Sequence, residues 1–600
     1  MRKKTTDRKS AKRILSNNVF AIKTIYKISP FYVIYNMAIK VIDEVTIMLE
    51  HAFLVAYIID CIEKGRPFSS IFPFFTTVTV LVLLRLTISP YIATHILPKH
   101  KERIDKELQL VLYKKATDMD ISKYDDPEFY NDFVWAMKEA PVHVTGALTT
   151  LTEFIGTVTL VLCLGVFMVS VDIIGILFVV ITLSLVLYLR MVSNKKKMSL
   201  EEEKRPVQRQ RDYINRVFYL ADFAKDLRMS EMSDKLYEDY KESSDIMEKT
   251  VNKHSRRISS LNYLASVVQN LLTFDGLYLT YLMYKTLALK EFGYGPMVAL
   301  YNASRWLKNN LDELISVIPQ FQEHSMYLEK MRTFLETENE MPDDGTKCVP
   351  TLGDIVLDNV SFAYPGNKEN TLHNINLAIK KGEKIALVGY NGAGKSTLIK
   401  LLMRLYDPIE GEILYGGERT GEYRISDYRR RFGAVFQDHE IMASSLGENI
   451  TMSTEPLDMV KAYDCFEKTD FSERYNSLKM GMETPMTKEF DKDGINLSGG
   501  EAQKVAISRV LYSDASVLIL DEPSSALDPL SEYRLNRTII DLARDKTVII
   551  ISHRLSTTRM VDNIYMLENG RIIENGTHDA LITLNGKYAE MFNLQSEKYR

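Results

Sequence analysis

Two long apolar runs, Phe154–Val171 and Ile173–Leu189, meet at a single charged residue, Asp172. Each comes close to the ~20 apolar residues a helix needs to cross a bilayer. Such a pair is too long and too uniform for an ordinary globular core, so it points to a membrane. The abrupt break predicts a very short turn with Asp172 at the outer surface. Ile258–Tyr284, interrupted only by Asp275, is a third strong run, and Ile71–Leu97, with Arg85 and two prolines, is a fourth. Phe31–Ile59 carries Lys40, Asp43, Glu44, Glu50 and His51, and Met297–Pro319 carries Arg305, Lys308, Asp312 and Glu313. One charge at the bilayer centre costs about 2.5–3.5 kcal/mol on insertion scales. These two are therefore expected to fail a hydropathy test singly and to face a protein-lined, wet cavity. The expectation is six spans.

Charge placement orients them. Arg2, Lys3, Lys4, Arg8, Lys9, Lys12 and Arg13 precede the first span, Lys195–Lys197 follow the fourth, and Arg256 and Arg257 precede the fifth. With alternating helices all lie on one side, the cytoplasmic side by the positive-inside rule. The N-terminus shows no signal-peptide pattern, so both termini are expected in the cytoplasm of a bacterial cell, below a multi-pass plasma-membrane domain. The stretches 99–142 and 191–257 are charged, poor in glycine and proline, and periodic; they read as helices that extend well into the cytoplasm and return.

Around residue 336 the pattern changes. Residues 336–353 are acidic, polar and proline-containing, a linker between a membrane domain (1–335) and a second domain (354–600). There, short β-rich runs such as Lys384–Val388, Val517–Leu520 and Thr547–Ile551 alternate with helices. The fold expected is an all-α six-span membrane domain with long intracellular helices, followed by an α/β P-loop nucleotide-binding domain. The mean hydropathy of -0.12 averages these two unlike halves. With 75 basic against 79 acidic side chains, nothing in the balance calls for nucleic acid, and the four cysteines have neither metal-ligand nor pairing spacing.

The second half carries the chemistry. Gly389-Tyr-Asn391-Gly392-Ala393-Gly394-Lys395-Ser396 follows the strand Lys384–Val388 and leads through Thr397 into a helix. Glycines let the backbone wrap phosphates with N–H groups turned inward; Lys395 reaches the β- and γ-phosphates, and the Ser396 hydroxyl is placed for Mg²⁺. This is an ATP site. The apolar strand Val517–Leu520 delivers Asp521 to the metal shell, and Glu522 beyond it is positioned to polarise an attacking water.

Leu497-Ser498-Gly499-Gly500-Glu501, ahead of a helix, resembles the signature of ATP-binding cassette (ABC) proteins. The resemblance assigns further roles across about 354–594. Tyr364 takes the place of the aromatic that stacks on adenine. Gln437 takes that of the glutamine at the metal and γ-phosphate. Ser525-Ala-Leu-Asp528 corresponds to a loop that communicates across a dimer, and His553 to the histidine contacting the γ-phosphate. The first half extends the likeness to the exporter class. That class implies a dimer of half-transporters holding two ATP molecules, each between one subunit's phosphate loop and the other's signature. It also implies coupling helices near Asp126-Pro127-Glu128 and around Phe223–Met229. The sequence departs from the family pattern at Glu501, where glutamine is usual, and at Glu489-Phe-Asp-Lys-Asp-Gly494, where only Glu489 and Gly494 match. These departures leave a heterodimer as open as a homodimer.

For the cargo the sequence offers polar faces. Asp43 and Glu50, and Glu44 and His51, are spaced by seven, and Asn302, Arg305, Asn309 and Asp312 by three, four and three. They serve either as interhelical ties or as the lining of a wet cavity for a peptide or another polar or amphipathic compound. No peptidase segment is expected ahead of the first span. A multidrug or lipid exporter and a regulatory, non-transporting membrane ATPase are the alternatives; the apolar spans exclude a soluble cassette ATPase acting on nucleic acid. Partners are then a second half-transporter, membrane lipid and the cargo.

Overall fold

The structure is a computed structural model that describes residues 2–522, 537, 545–552 and 557–597. It divides into two compact units, Met1–Lys115 with Asp132–Glu336, and Ala116–Asn131 with Thr337–Arg600.

The first unit is helical. Four of its described helices are long and apolar enough to cross a membrane: Pro30–Glu63, Phe68–Asp118, Ala140–Val171 and Ile173–Tyr219. The first corrects the expectation that Phe31–Ile59 fails on hydropathy. Its charges crowd toward the start, whereas Val45–Ile62 holds only Glu50 and Asp60 among acidic, lysine and arginine residues, and the segment reaches a hydropathy of 1.8. Lys40 pairs with Glu44 at 2.9 Å and Arg85 approaches Asp43 at 3.9 Å, so these charges tie helices together. The expected fifth span falls on the end of helix Met232–Val267 and the wider turns that follow, and the sixth on helix Tyr294–Glu336. The side chains of Asp275 and Asp312 lie outside the described residues.

Helix Ile173–Tyr219 has 47 residues, about 70 Å at 1.5 Å per residue and more than twice a bilayer core. Its apolar half packs on Met232–Val267 through Val186, Leu189 and Ala265, and the Ser193 hydroxyl donates to Asn262 Oδ1 at 2.9 Å. Leu160, Leu164, Met168, Tyr278, Leu282, Leu300, Ala303 and Leu307 form a second core. Nearer the start of helix Ala140–Val171, Gly146 permits a close approach of helix Tyr294–Glu336: a Cβ would stand 2.7 Å from the His324 ring. Asp172 is not an exposed turn residue. It is 5% exposed, accepts a hydrogen bond from the Tyr281 hydroxyl at 3.1 Å and lies 3.5 Å from Lys285 Nζ.

The second unit has two sheets. An antiparallel one orders β2 (Leu372–Ile379), β1 (Ile355–Phe362), β4 (Glu410–Tyr415) and β5 (Glu418–Arg419). The other orders β10 (Arg571–Gly576), β9 (Asn563–Glu568), β3 (Lys384–Gly389), β8 (Thr547–Ile551), β7 (Val517–Asp521) and β6 (Phe432–Val435). Strands β6, β7, β8, β3 and β9 run parallel. All five residues of β7 and of β8 are buried, as a parallel sheet covered on both faces requires.

Residues 337–353 are fastened to this unit. Arg404, 1% exposed, donates to the carbonyls of Thr420, Tyr423 and Pro342 at 2.9–3.0 Å. Asp343 Oδ1 accepts from the Ile425 amide at 2.6 Å and Arg431 donates to the Val349 carbonyl at 3.0 Å. Residues 116–131 join the same unit: Asp120 accepts from the amides of Glu340 and Met341 at 2.6 and 3.0 Å, and Asp125 accepts from the Tyr406 hydroxyl. All four cysteines are free thiols, and burial pushes Cys465 up to about 11, which leaves it protonated and unreactive.

Candidate functional site

Strand β3 lies in the middle of its sheet and ends at Gly389, so the loop that follows opens at the carboxyl edge of the parallel strands. Two glycines shape it. A Cβ at Gly389 would stand 2.2 Å from the Leu567 carbonyl oxygen. Gly394 caps helix Lys395–Leu402 in the left-handed region at φ 99, where L side chains are strained. The loop, with Thr371, Gln437, Asp521 and Glu522, encloses a cavity of about 500 Å³. Its floor is a helix N-terminus with free amides, a setting suited to phosphate.

Lys395 is buried along this floor, and its Nζ donates to the carbonyls of Gly389 and Tyr390 at 2.9 and 3.0 Å. Burial holds its pKa below the ordinary lysine value, against the opposing pull of Glu522 and Asp521. The Ser396 hydroxyl donates to Asp521 Oδ2 at 3.1 Å. A hydroxyl and a carboxylate side by side, with the Gln437 side chain on the same cavity, make an all-oxygen donor set that fits Mg²⁺. Glu522 has φ 50, a left-handed backbone that costs a non-glycine residue about 1–3 kcal/mol. Its amide donates to the Ile551 carbonyl at 3.0 Å, and Gln503 donates to its carbonyl at 3.4 Å. The neighbouring strand and helix thus hold the strained residue at the cavity wall.

The expected residues do not all meet here. Asn391, Gly392, Ala393, Gly394, Lys395, Ser396, Thr397, Gln437, Asp521 and Glu522 line the cavity. Tyr364 stands beside it: its hydroxyl shares a 3.1 Å hydrogen bond with Thr397 Oγ1, and its ring meets Phe362 and Tyr406 edge-on. Asp528 and His553 lie outside the described residues. Thr371 is a lining residue that the phosphate-loop pattern does not flag, since it reaches the cavity from the turn before β2.

Ser498, Gly499 and Gly500 are not among the lining residues. They open helix Gly499–Tyr512, where the Ser498 hydroxyl accepts from the Glu501 amide and the Glu501 carboxylate accepts from the Ser498 amide, a capping box. Arg474 Nε stands 2.9 Å from Glu501 Oε1, as an ion pair rather than an aligned hydrogen bond. Partial burial opposes the Glu501 charge, but the Ser498 hydrogen bonds and the Arg474 and Lys504 cations outweigh it and keep its pKa below the ordinary glutamate value.

The ABC transporter family profile matches residues 372–525. The chain is 29% identical over 518 residues to the subtilin transport ATP-binding protein SpaT of Bacillus subtilis, covering 84% of this chain and 81% of that one. It is 34% identical over 302 residues to the ATP-dependent lipid A-core flippase of Pectobacterium atrosepticum, covering 50% of this chain and about half, 51%, of that one. Among solved structures, a bacterial Atm1-family ABC exporter with ATP bound superimposes with a TM-score of 0.77 at 21% identity, over 94% of this chain and 98% of that one. A helical domain with membrane-length apolar helices comes first in the chain and an ABC transporter domain follows at its C-terminal side, so the chain is homologous to the ABC exporters.

Proposed function

We propose that the chain is one half of a dimeric exporter that hydrolyses ATP at the cavity around Lys395 and moves an amphipathic cargo out of the cytoplasm. The reading is carried by one observation: Lys395, the Ser396–Asp521 pair and the strained Glu522 surround a single cavity of about 500 Å³. Lys395 and the loop amides take the β- and γ-phosphates, and Tyr364 packs toward the base. Mg²⁺, held through Ser396, Asp521 and Gln437, would supply charge neutralisation at the phosphate oxygens. Glu522 orients water for in-line attack and accepts its proton, with His553 at the γ-phosphate. Ser498 and the glycines after it close over the partner's nucleotide, and Asp528 meets the partner. Both termini and the cassette lie in the cytoplasm. A peptide cargo is supported by the polar faces within the spans. A lipid is supported by the flippase likeness.

The test is ATP turnover of the full chain in lipid nanodiscs. Glu522→Gln is nearly isosteric and keeps nucleotide binding but cannot accept the proton, so the rate should fall about 10²–10⁴-fold while ATP stays bound. Near wild-type turnover would refute the role given to Glu522.

A further inference from the structure

The end of the cassette carries a hydrogen-bonded histidine outside the ATP site. Helices His578–Leu584 and Lys587–Glu597 pack through Leu581, Tyr588 and Met591 on Ala386 and Val388 of β3 and on Ile564 and Met566 of β9. His578 links these helices to the 3₁₀ turn Thr557–Met560. Its Nε2 accepts from Arg559 Nε at 3.3 Å, and its Nδ1 lies 2.8 Å from the Tyr588 hydroxyl, which is 2.7 Å from Thr558 Oγ1. Tyr588 and Thr558 are both 0% exposed. Phe592 covers the group: its ring centroid is 4.9 Å from that of His578, and the Arg559 guanidinium lies 5.2 Å from it.

These bonds run in one direction. Arginine has donors only, so Nε2 is an unprotonated acceptor. The proton of the neutral ring then sits on Nδ1, which donates to Tyr588, and Tyr588 donates to Thr558. Burial, and after it Arg559, hold the His578 pKa below the ordinary histidine value, against the pull of Asp579. Neighbouring charges are engaged elsewhere: Glu574 of β10 accepts from the amides of Lys587 and Tyr588 at 2.6 and 3.1 Å, and Lys587 pairs with Glu590 at 3.3 Å.

We infer that His578 is a positioning residue for ATP hydrolysis: with Arg559, Tyr588 and Thr558 it fixes the far end of the chain segment that carries His553. The inference rests on the role proposed for His553 at the γ-phosphate. At the near end, β8 finishes at Ile551, whose carbonyl accepts from the Glu522 amide at 3.0 Å. Thr558 and Arg559 come five and six residues after His553, so the segment leaves the strand beside Glu522 and ends in the His578 group. A protonated His578 would carry a donor on both nitrogens, lose the Arg559 bond and set two cations against each other. Packing alone requires an apolar layer over β3 and β9, but not a directed chain of four polar side chains that ends on this turn.

The test is ATP turnover of the full-length protein in nanodiscs between about pH 5.5 and 8, the range in which histidine titrates. His578→Phe keeps a ring beside Tyr588 and Phe592 but has no nitrogen. Its kcat at the alkaline end should fall roughly 10–100-fold with the KM for ATP unchanged, the size expected for a small misplacement of a reacting group. Wild-type kcat should decline as the pH drops below about 6.5. His578→Gln offers an oxygen to Arg559 and cannot titrate, so it should restore most of kcat and show no such decline. Arg559→Met should lose as much as His578→Phe, and the double variant no more than either. A second readout needs no nucleotide. Because the native state favours the neutral ring, the unfolding midpoint of the wild type should drop relative to His578→Gln as the pH falls through the same window. A KM raised along with the lowered kcat, an acid decline that persists in His578→Gln, additive losses in the double variant, or a midpoint difference independent of pH would each overturn the inference. Should His578→Phe misfold, the pH profile of His578→Gln decides. The midpoint is read without ATP, so its outcome is independent of the result with Glu522→Gln.

Discussion

Glu501 puts a carboxylate in the first turn of the helix whose N-terminus, under the export reading, approaches the partner's γ-phosphate. Glutamine there would cap the helix equally well without the charge. The repulsion is offset in place, because Arg474 sits 2.9 Å from the free carboxylate oxygen. Both side chains are about one-third exposed, 37% and 29%, so the interaction with bound phosphate is screened to about 1 kcal/mol, or roughly fivefold in ATP affinity. Arg474→Ala should therefore raise the KM for ATP about fivefold with little change in kcat. Glu501→Gln should be near neutral alone and should restore the KM of Arg474→Ala. Failure of that rescue would mean that Arg474 acts on the nucleotide itself. Residue identity is where the sequence is most legible: the phosphate loop, Asp521 and Glu522 are defined by spacing, and the cavity gathers them. Arg474 has no such mark. It lies 27 residues from Glu501 in the chain and meets it only through the packing of the helical segment between β6 and β7.

At the scale of elements, composition and contact part company. Residues 336–353 have a linker's composition, yet three hydrogen bonds from Arg404, Arg431 and the Ile425 amide hold part of the stretch to the cassette. The signal was hidden because the anchors are basic residues of the cassette that look like ordinary surface charge until their partners, backbone carbonyls, come into place. Asp172 is similar: its position between apolar runs reads as an exposed turn, and only the fold brings Tyr281 and Lys285 to it. A cysteine placed at Asp172 should thus react slowly with an impermeant thiol reagent from outside. One at the exposed Arg66, in the turn between the first two spans, should react fast in intact cells lacking the native cysteines. Labelling of Arg66→Cys only after permeabilisation would invert the proposed topology. Arg404→Met keeps the stem but removes donors from two buried carbonyls and from the half-buried Pro342 carbonyl, at a cost of about 3–5 kcal/mol. In a cassette-sized domain that lowers the unfolding midpoint by roughly 6–20 °C, measurable by calorimetry on the full protein, with faster proteolysis at Lys347 as a second readout.

For the whole molecule, the decisive feature is that one chain holds a phosphate cavity and a signature that does not line it. If each ATP is held by the loop of one subunit and the signature of the other, two defective chains can repair each other. Take Lys395→Ala, which spoils the loop, and Ser498→Arg, which fills the signature's helix N-terminus with bulk. Either alone spoils both sites of a homodimer and should abolish ATP turnover. In a mixed dimer the two defects fall together on one site, and the second site keeps an intact loop from one chain and an intact signature from the other. Random pairing makes half the dimers mixed, each with one good site of two, so co-expression should recover up to about a quarter of the wild-type rate, on the in-trans assembly of charge-stabilising groups. Were loop and signature to act within one chain, no mixed dimer would contain a good site and no activity would return. An inactive wild-type chain under the same conditions would instead show that the second half is a different polypeptide, as the departure at Glu501 leaves open. The two defects fail separately in binding as well: Lys395→Ala should lose ATP, whereas Ser498→Arg should retain it in an open pair of cassettes. That contrast, read by nucleotide retention and by cross-linking between cassettes, separates a missing partner from a missing site.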